Sequence, residues 1–206
     1  MRFFGITTLA TAALFTITSA PLAAAGQVSG YQQVGQCLKE LGWLSSKLYR
    51  DSLALDITDP PRPVSVDTPP ELWNDIEDAI WRSRKYINAK MRDIADVSGL
   101  SKPNADQSTE KTIKILYNYR EFFGNLLRQI RALDGRELKS DRVLYSIRFF
   151  QPLIGELGPA IHYFGEAISE VIWRTSPPDA ESIRDALARF DAVSIETIEA
   201  YRIDIR

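Results

Sequence analysis

Apolar residues recur along this chain at spacings of three and four. No run alternates strictly between apolar and polar positions, so the pattern predicts helices throughout and no sheet. A first helix, over about Ser29 to Asp56, would bury Val34, Leu38, Leu41, Leu44 and Leu48. It runs into Asp59-Pro60-Pro61-Arg62-Pro63. Proline removes amide donors there and restricts each preceding residue, making 59–68 an extended connector. Thr68-Pro69-Pro70-Glu71 then reads as a capping box around prolines preset for a first turn. The second helix it opens has Trp73, Ile76, Ile80, Ile87, Met91 and Ile94 on its core face and should stop near Ser98-Gly99. A loop containing Pro103 leads to a third helix, about Ser108 to Leu133, with Ile113, Leu116, Tyr119, Phe123, Leu127 and Ile130 inward. Asp134-Gly135 marks its end, with Gly135 as the expected left-handed residue.

The most regular stretch follows. Val143, Ile147, Phe150, Ile154, Leu157, Ile161, Phe164, Ile168 and Val171 alternate spacings of four and three without a miss, a heptad seam. Pro152 and Pro159 interrupt it in sequence but share one heptad position off the seam. There, water can satisfy the carbonyls they leave unpaired at Arg148 and Gly155. One long helix, about Asp141 to Thr175 and bent at those prolines, is therefore expected. Ser176-Pro177-Pro178-Asp179 opens a last helix that buries Ile183, Leu187, Phe190, Ile198 and Tyr201. Apolar stripes on separate helices can be buried only against one another. The fold class expected is all-α, a single-domain antiparallel bundle of about five helices with a long proline-bent fourth helix.

The first 25 residues break this amphipathic pattern. Arg2 precedes an apolar run from Phe3 to Phe15, and Ala23-Ala24-Ala25 offers an A-x-A cleavage site before Gly26. Residues 1–25 read as a signal peptide and 26–206 as one secreted helical domain. The apolar run is too short for a membrane anchor. With 25 basic and 27 acidic residues the chain is nearly neutral, which argues against nucleic acid as a partner. The lone cysteine, Cys37, allows no internal disulfide, and its spacing from Val34 and Leu41 fits a buried helix edge. None of Asn74, Asn88, Asn104, Asn118 and Asn125 begins a glycosylation sequon.

Signatures of catalysis are sparse. His162 is the only histidine, so a di-iron carboxylate site needing two Glu-x-x-His units is excluded, and one cysteine excludes thiolate zinc sites. His162, Glu166 and Glu170 share a helical face that could begin a metal site, though a polar margin hydrogen-bonded to Glu166 is the simpler reading. No nucleophile elbow or phosphate-binding glycine loop occurs. No cofactor is expected. An all-helical enzyme of the chorismate-mutase type needs only arginines and carboxylates in a pocket, with Arg82, Arg120, Arg128 and Glu121 as candidates. The basic run Arg82, Arg84, Lys85, Lys90 and Arg92 follows Asp75, Glu77 and Asp78, which suggests a salt-bridged solvated face.

Aromatics remain. Trp43, Tyr49, Trp81, Tyr86, Tyr117 and Phe122 fall beside the main stripes of their helices, where five-helix packing need not cover them, and aromatics so placed are enriched at interfaces. They form the candidate binding surface. The leading expectation is a secreted, non-catalytic, effector-like bundle that binds a protein partner, with virulence or host and competitor interaction as its role. The first alternative is an extracellular carrier of an amphipathic, fatty-acid-like ligand held between helices bent by Pro152 and Pro159. The second is the chorismate-mutase type. In architecture alone, the expected bundle resembles fungal hydrophobic-surface-binding and galactomannoprotein domains, which are also small, secreted and helical.

Overall fold

A computed structural model describes residues 20–59 and 70–202. Among the described residues five α-helices and one short 3-10 turn make up the regular structure: α1 Ala20–Ala54, α2 Pro70–Ala95, α3 Lys102–Ala132, the 3-10 turn Glu137–Lys139, α4 Asp141–Trp173 and α5 Pro177–Ala200. The expected all-α bundle is what forms. The signal peptide expected over 1–25 falls mostly outside the described residues, as do Pro60 to Pro69 of the connector and its capping box.

Packing follows a ring in the order α1, α2, α4, α5, α3 and back to α1. Paired residues give the directions. Lys47–Asp75 and Arg82–Glu40 set α1 against α2 antiparallel. Arg84–Glu156 with Trp73 against Phe149 makes α2 and α4 parallel. His162–Asp191 and Arg184 with Ser169 make α4 and α5 antiparallel. Lys102–Asp179 and Thr197 to the Phe123 carbonyl make α5 and α3 parallel, and Asn118–Ser45 with Asn125–Ser52 makes α3 and α1 parallel. The chain thus alternates direction helix by helix, while α3 is inserted between the hairpins α1–α2 and α4–α5.

That insertion explains the largest correction to the expected core. α3 packs on α1 on one side and α5 on the other, so its buried face is wider than one stripe: Ile115, Phe122 and Leu126 are buried beside the expected Leu116, Tyr119, Phe123, Leu127 and Ile130, while Ile113 is only partly covered. Phe122 is therefore a core ring, fully buried and edge-on to Phe123 at 5.5 Å. α4 behaves as the heptad seam requires. All nine seam residues are buried, and Pro152 and Pro159 lie inside the one helix on its exposed side.

Boundaries moved for local reasons. α1 is already helical at Ala20, the first described residue and ahead of the expected Ser29, through alanines 23–25 that favour helix as strongly as any residue. Its exit is pinned by Gln129, which accepts from the Ile57 amide at 3.0 Å and donates to the Leu55 carbonyl at 2.8 Å. α2 stops at Ala95, short of Gly99, whose φ of +149° turns the chain beneath Thr175 and Arg174. Pro103 lies in the first turn of α3, where its missing amide costs nothing, so that helix starts six residues before the expected Ser108. Gly135 does not take a positive φ. α3 ends in extended backbone at Leu133, and the Asp134 carboxylate caps the 3-10 turn by accepting from the amides of Arg136 and Glu137, both at 2.8 Å.

Candidate ligand-binding seams

The α1–α3 seam carries polar rungs, the last two a heptad apart on both helices. Tyr31 donates to Gln107, Asn118 to the hydroxyls of Ser45 and Ser46 at 3.3 and 3.1 Å, and Asn125 to Ser52 at 2.6 Å. Above these rungs lie two concavities of about 530 Å³ and about 210 Å³, both open to solvent, which share Leu38 and Lys111 and so form one trough. Gly35 and Gly42, a heptad apart, remove the side chains that would fill it. A Cβ at Gly35 would meet nothing within 4 Å, and one at Gly42 only Ile115 at 4.0 Å. Leu38 and Ile115 form a buried apolar floor, and the exposed Lys39, Lys111 and Lys114 stand on the rim.

A second groove, of about 280 Å³, lies between α4 and α5. Its walls are Pro159, Tyr163, Ile195 and Ile198, with Tyr163 and Ile195 both more than half exposed, at 59% and 56%. Gly158 forms part of its lining, over the core: a Cβ there would lie 3.2 Å from Ile198 Cδ1 and 3.9 Å from Phe123 Cζ. Phe123 in turn stands edge-on to Phe122 and Phe190, each at 5.5 Å. Aromatic side chains thus pack in the middle of the ring of helices. One end of this groove is polar, where His162 Nδ1 meets Asp191 Oδ2 at 2.9 Å and Nε2 meets Glu166 Oε1 at 3.4 Å.

The six aromatics expected to form one surface are dispersed. Trp43, Trp81 and Tyr117 are exposed, at 48%, 52% and 46%, and each carries its own cation: Arg82 at 5.1 Å, Lys85 at 4.8 Å and Arg120 at 4.9 Å from the ring centroids. Tyr49 is half-buried. Tyr86 is half-buried against the core, where desolvation, with a smaller contribution from Cys37, raises its pKa. Phe122 belongs to the core. Among the described residues no two of the six rings pack on each other. The trough residues Gly35, Lys39, Gly42, Lys111 and Lys114 were not singled out from sequence. The signal available was two mid-helix glycines a heptad apart flanking a lysine, at positions where glycine costs about 1 kcal/mol relative to alanine.

Other candidates resolve individually. Cys37 is buried, and burial pushes its thiol up to about 12 despite the nearby Lys90. No group of His, Cys, Asp and Glu suited to a metal ion occurs among the described residues. The arginines that a chorismate-mutase pocket requires do not converge: Arg82 pairs with Glu40 on α1, Arg120 with its neighbour Glu121, and Arg128 with Asn125. The basic run of α2 is salt-bridged as expected, with Arg82 near Asp78 at 3.7 Å and Lys90 on Asp93 at 2.9 Å. Among the described residues, no helix is long and apolar enough to cross a membrane.

No family model matches the sequence, and no curated protein matches it. Solved structures do match the fold. The AfMP4p protein, crystallised in complex with palmitic acid, superposes with a TM-score of 0.61 at 10% identity, over 82% of this chain and 99% of that one. Ligand-binding domain 1 of the Penicillium marneffei MP1 protein, complexed with arachidonic acids, superposes with a TM-score of 0.60 at 14% identity, over 84% of this chain and 99% of that one. Identities this low establish a shared fold. They also correct the leading functional expectation: the bundle's structural neighbours are fatty-acid complexes, which favours the ligand-carrier alternative over a protein-binding effector.

Proposed function

We propose that the protein is an extracellular carrier of amphipathic, fatty-acid-like ligands, seated along its helix–helix seams. The observation that carries this reading is the fold match, which spans nearly the whole of two chains solved with long-chain fatty acids. The seams supply chemistry of the right kind, concave apolar floors bordered by polar groups. Its place of work rests on the signal peptide expected over residues 1–25, and a carrier that shields an alkyl chain from water has most use outside a membrane.

A thermal-shift titration with palmitate tests the reading. A ligand that binds only the folded state at 100 times its Kd adds about 2.7 kcal/mol of stability, so the midpoint should climb with palmitate concentration. A midpoint unmoved by palmitate, in protein first stripped of lipid, would contradict the proposal.

A further inference from the structure

We infer that the α1–α3 trough is the seat of the ligand's acidic end, so that the carrier selects carboxylate-bearing amphiphiles over neutral ones of equal length; this rests on the carrier reading above. The charge pattern points there. Elsewhere on α1, α2 and α3 the lysines are engaged: Lys47 with Asp51 and Asp75, Lys90 with Asp93, Lys102 with Asp106 and Asp179, and Lys85 over the Trp81 ring. Among the described residues, Lys39, Lys111 and Lys114 have no ion-pair partner, and these three converge on one concavity. Among the described residues no acidic side chain lines it. On a chain with net charge −2, that is a local reversal of sign, and it favours an anion.

The α4–α5 groove has the opposite character. Asp191 lines it and Glu166 stands on the other side of His162, so a carboxylate placed there would meet one acid in the lining and have a second nearby. The trough also has the right shape for the rest of the molecule. From Tyr31 to Ser46 it follows α1 for about 22 Å at 1.5 Å per residue. An alkyl chain laid along it would rest on Leu38 and Ile115 in the space that Gly35 and Gly42 leave empty. The lysines, exposed on the rim, keep their charge in water until the anion arrives.

The experiment is calorimetric titration of the lipid-stripped protein with palmitate and with hexadecanol, in the wild type and in two variants. Replacing the three exposed lysines together (Lys39→Gln, Lys111→Gln, Lys114→Gln) should weaken palmitate by about tenfold, while hexadecanol stays within about twofold. Gly35→Leu, at a position where an added Cβ meets nothing within 4 Å, should weaken both ligands. Unchanged palmitate affinity in the lysine variant would overturn the inference and leave the carrier reading standing, as would unchanged affinity for both ligands in Gly35→Leu. A wild type that binds neither ligand would overturn both. Helical circular dichroism of each variant distinguishes lost binding from lost folding.

Discussion

Asn118 on α3 donates its side-chain amide to the Ser45 hydroxyl on α1 at 3.3 Å, and one heptad later Asn125 repeats the bond to Ser52 at 2.6 Å. These rungs tie two parallel helices together at matched positions, so they fix the seam's register as well as its stability. The serine hydroxyls donate in turn to the carbonyls of Gly42 and Tyr49, which leaves the asparagines as their supply of donors. Asn118→Ala and Asn125→Ala should each cost about 1 to 2 kcal/mol, read as a drop in urea midpoint. The two sites stand about 10 Å apart along α3, so the double variant should lose close to the sum.

Glycines on two helices should respond with opposite signs. A Cβ at Gly35 meets nothing, so Gly35→Ala should stabilise the protein by about 0.5 to 1 kcal/mol through helix propensity. At Gly165, on the α4–α5 contact, a Cβ would lie 2.8, 3.2 and 3.4 Å from Cδ1, Cδ2 and Cγ of the buried Leu187. Gly165→Val should destabilise by about 1 to 3 kcal/mol through overpacking. Equilibrium denaturation of the two variants checks both signs.

Cys37 is buried in the α1–α2 seam with its thiol pushed up to about 12 by desolvation. A thiol reagent at pH 8 should label it only at the rate of unfolding, with prompt labelling in denaturant. Fast labelling of the native protein would mean that the seam opens locally.

Two carboxylates, one capping the 3-10 turn and one paired with Lys102 between α3 and α5, give the protein an acid limb. Asp134 is held below its ordinary value of 3.8 by the amides of Glu137 and Arg136, and Asp179 by Lys102 and then by the Ser176 hydroxyl. Because both are lowered in the folded state, their contribution is complete above the unfolded value and disappears as pH falls through the folded one. The Asp134→Asn/Asp179→Asn variant should therefore be less stable than wild type at neutral pH and converge with it as pH falls below 3.8 and through the lowered folded values, in urea midpoints measured from neutral pH downward.

How far the sequence discloses this molecule depends on what periodicity reports. The nine-residue seam of α4 announces its inward side without ambiguity, and it correctly outweighs Pro152 and Pro159 because both point to solvent. Periodicity gives a helix's phase but not its number of neighbours. Periodicity therefore places Phe122 beside the stripe and leaves Ile115 off it, whereas α3, wedged between α1 and α5, buries both. The same ignorance of neighbours hid the trough, which is assembled from Gly35, Gly42, Leu38 and three lysines on two helices some seventy residues apart in sequence. Surface aromatics were legible as exposed at Trp43, Trp81 and Tyr117, yet the cations that cover them come partly from other helices, as Arg82 does for Trp43.

The central claim, that this five-helix ring holds a fatty-acid-like ligand, is tested most directly by native mass spectrometry of the lipid-stripped protein mixed with palmitate. The account predicts a folded charge-state envelope displaced by the mass of bound palmitate, with the ligand lost when the same sample is sprayed under denaturing conditions. A spectrum showing only the unliganded folded protein, at palmitate concentrations in excess over the protein, would contradict it.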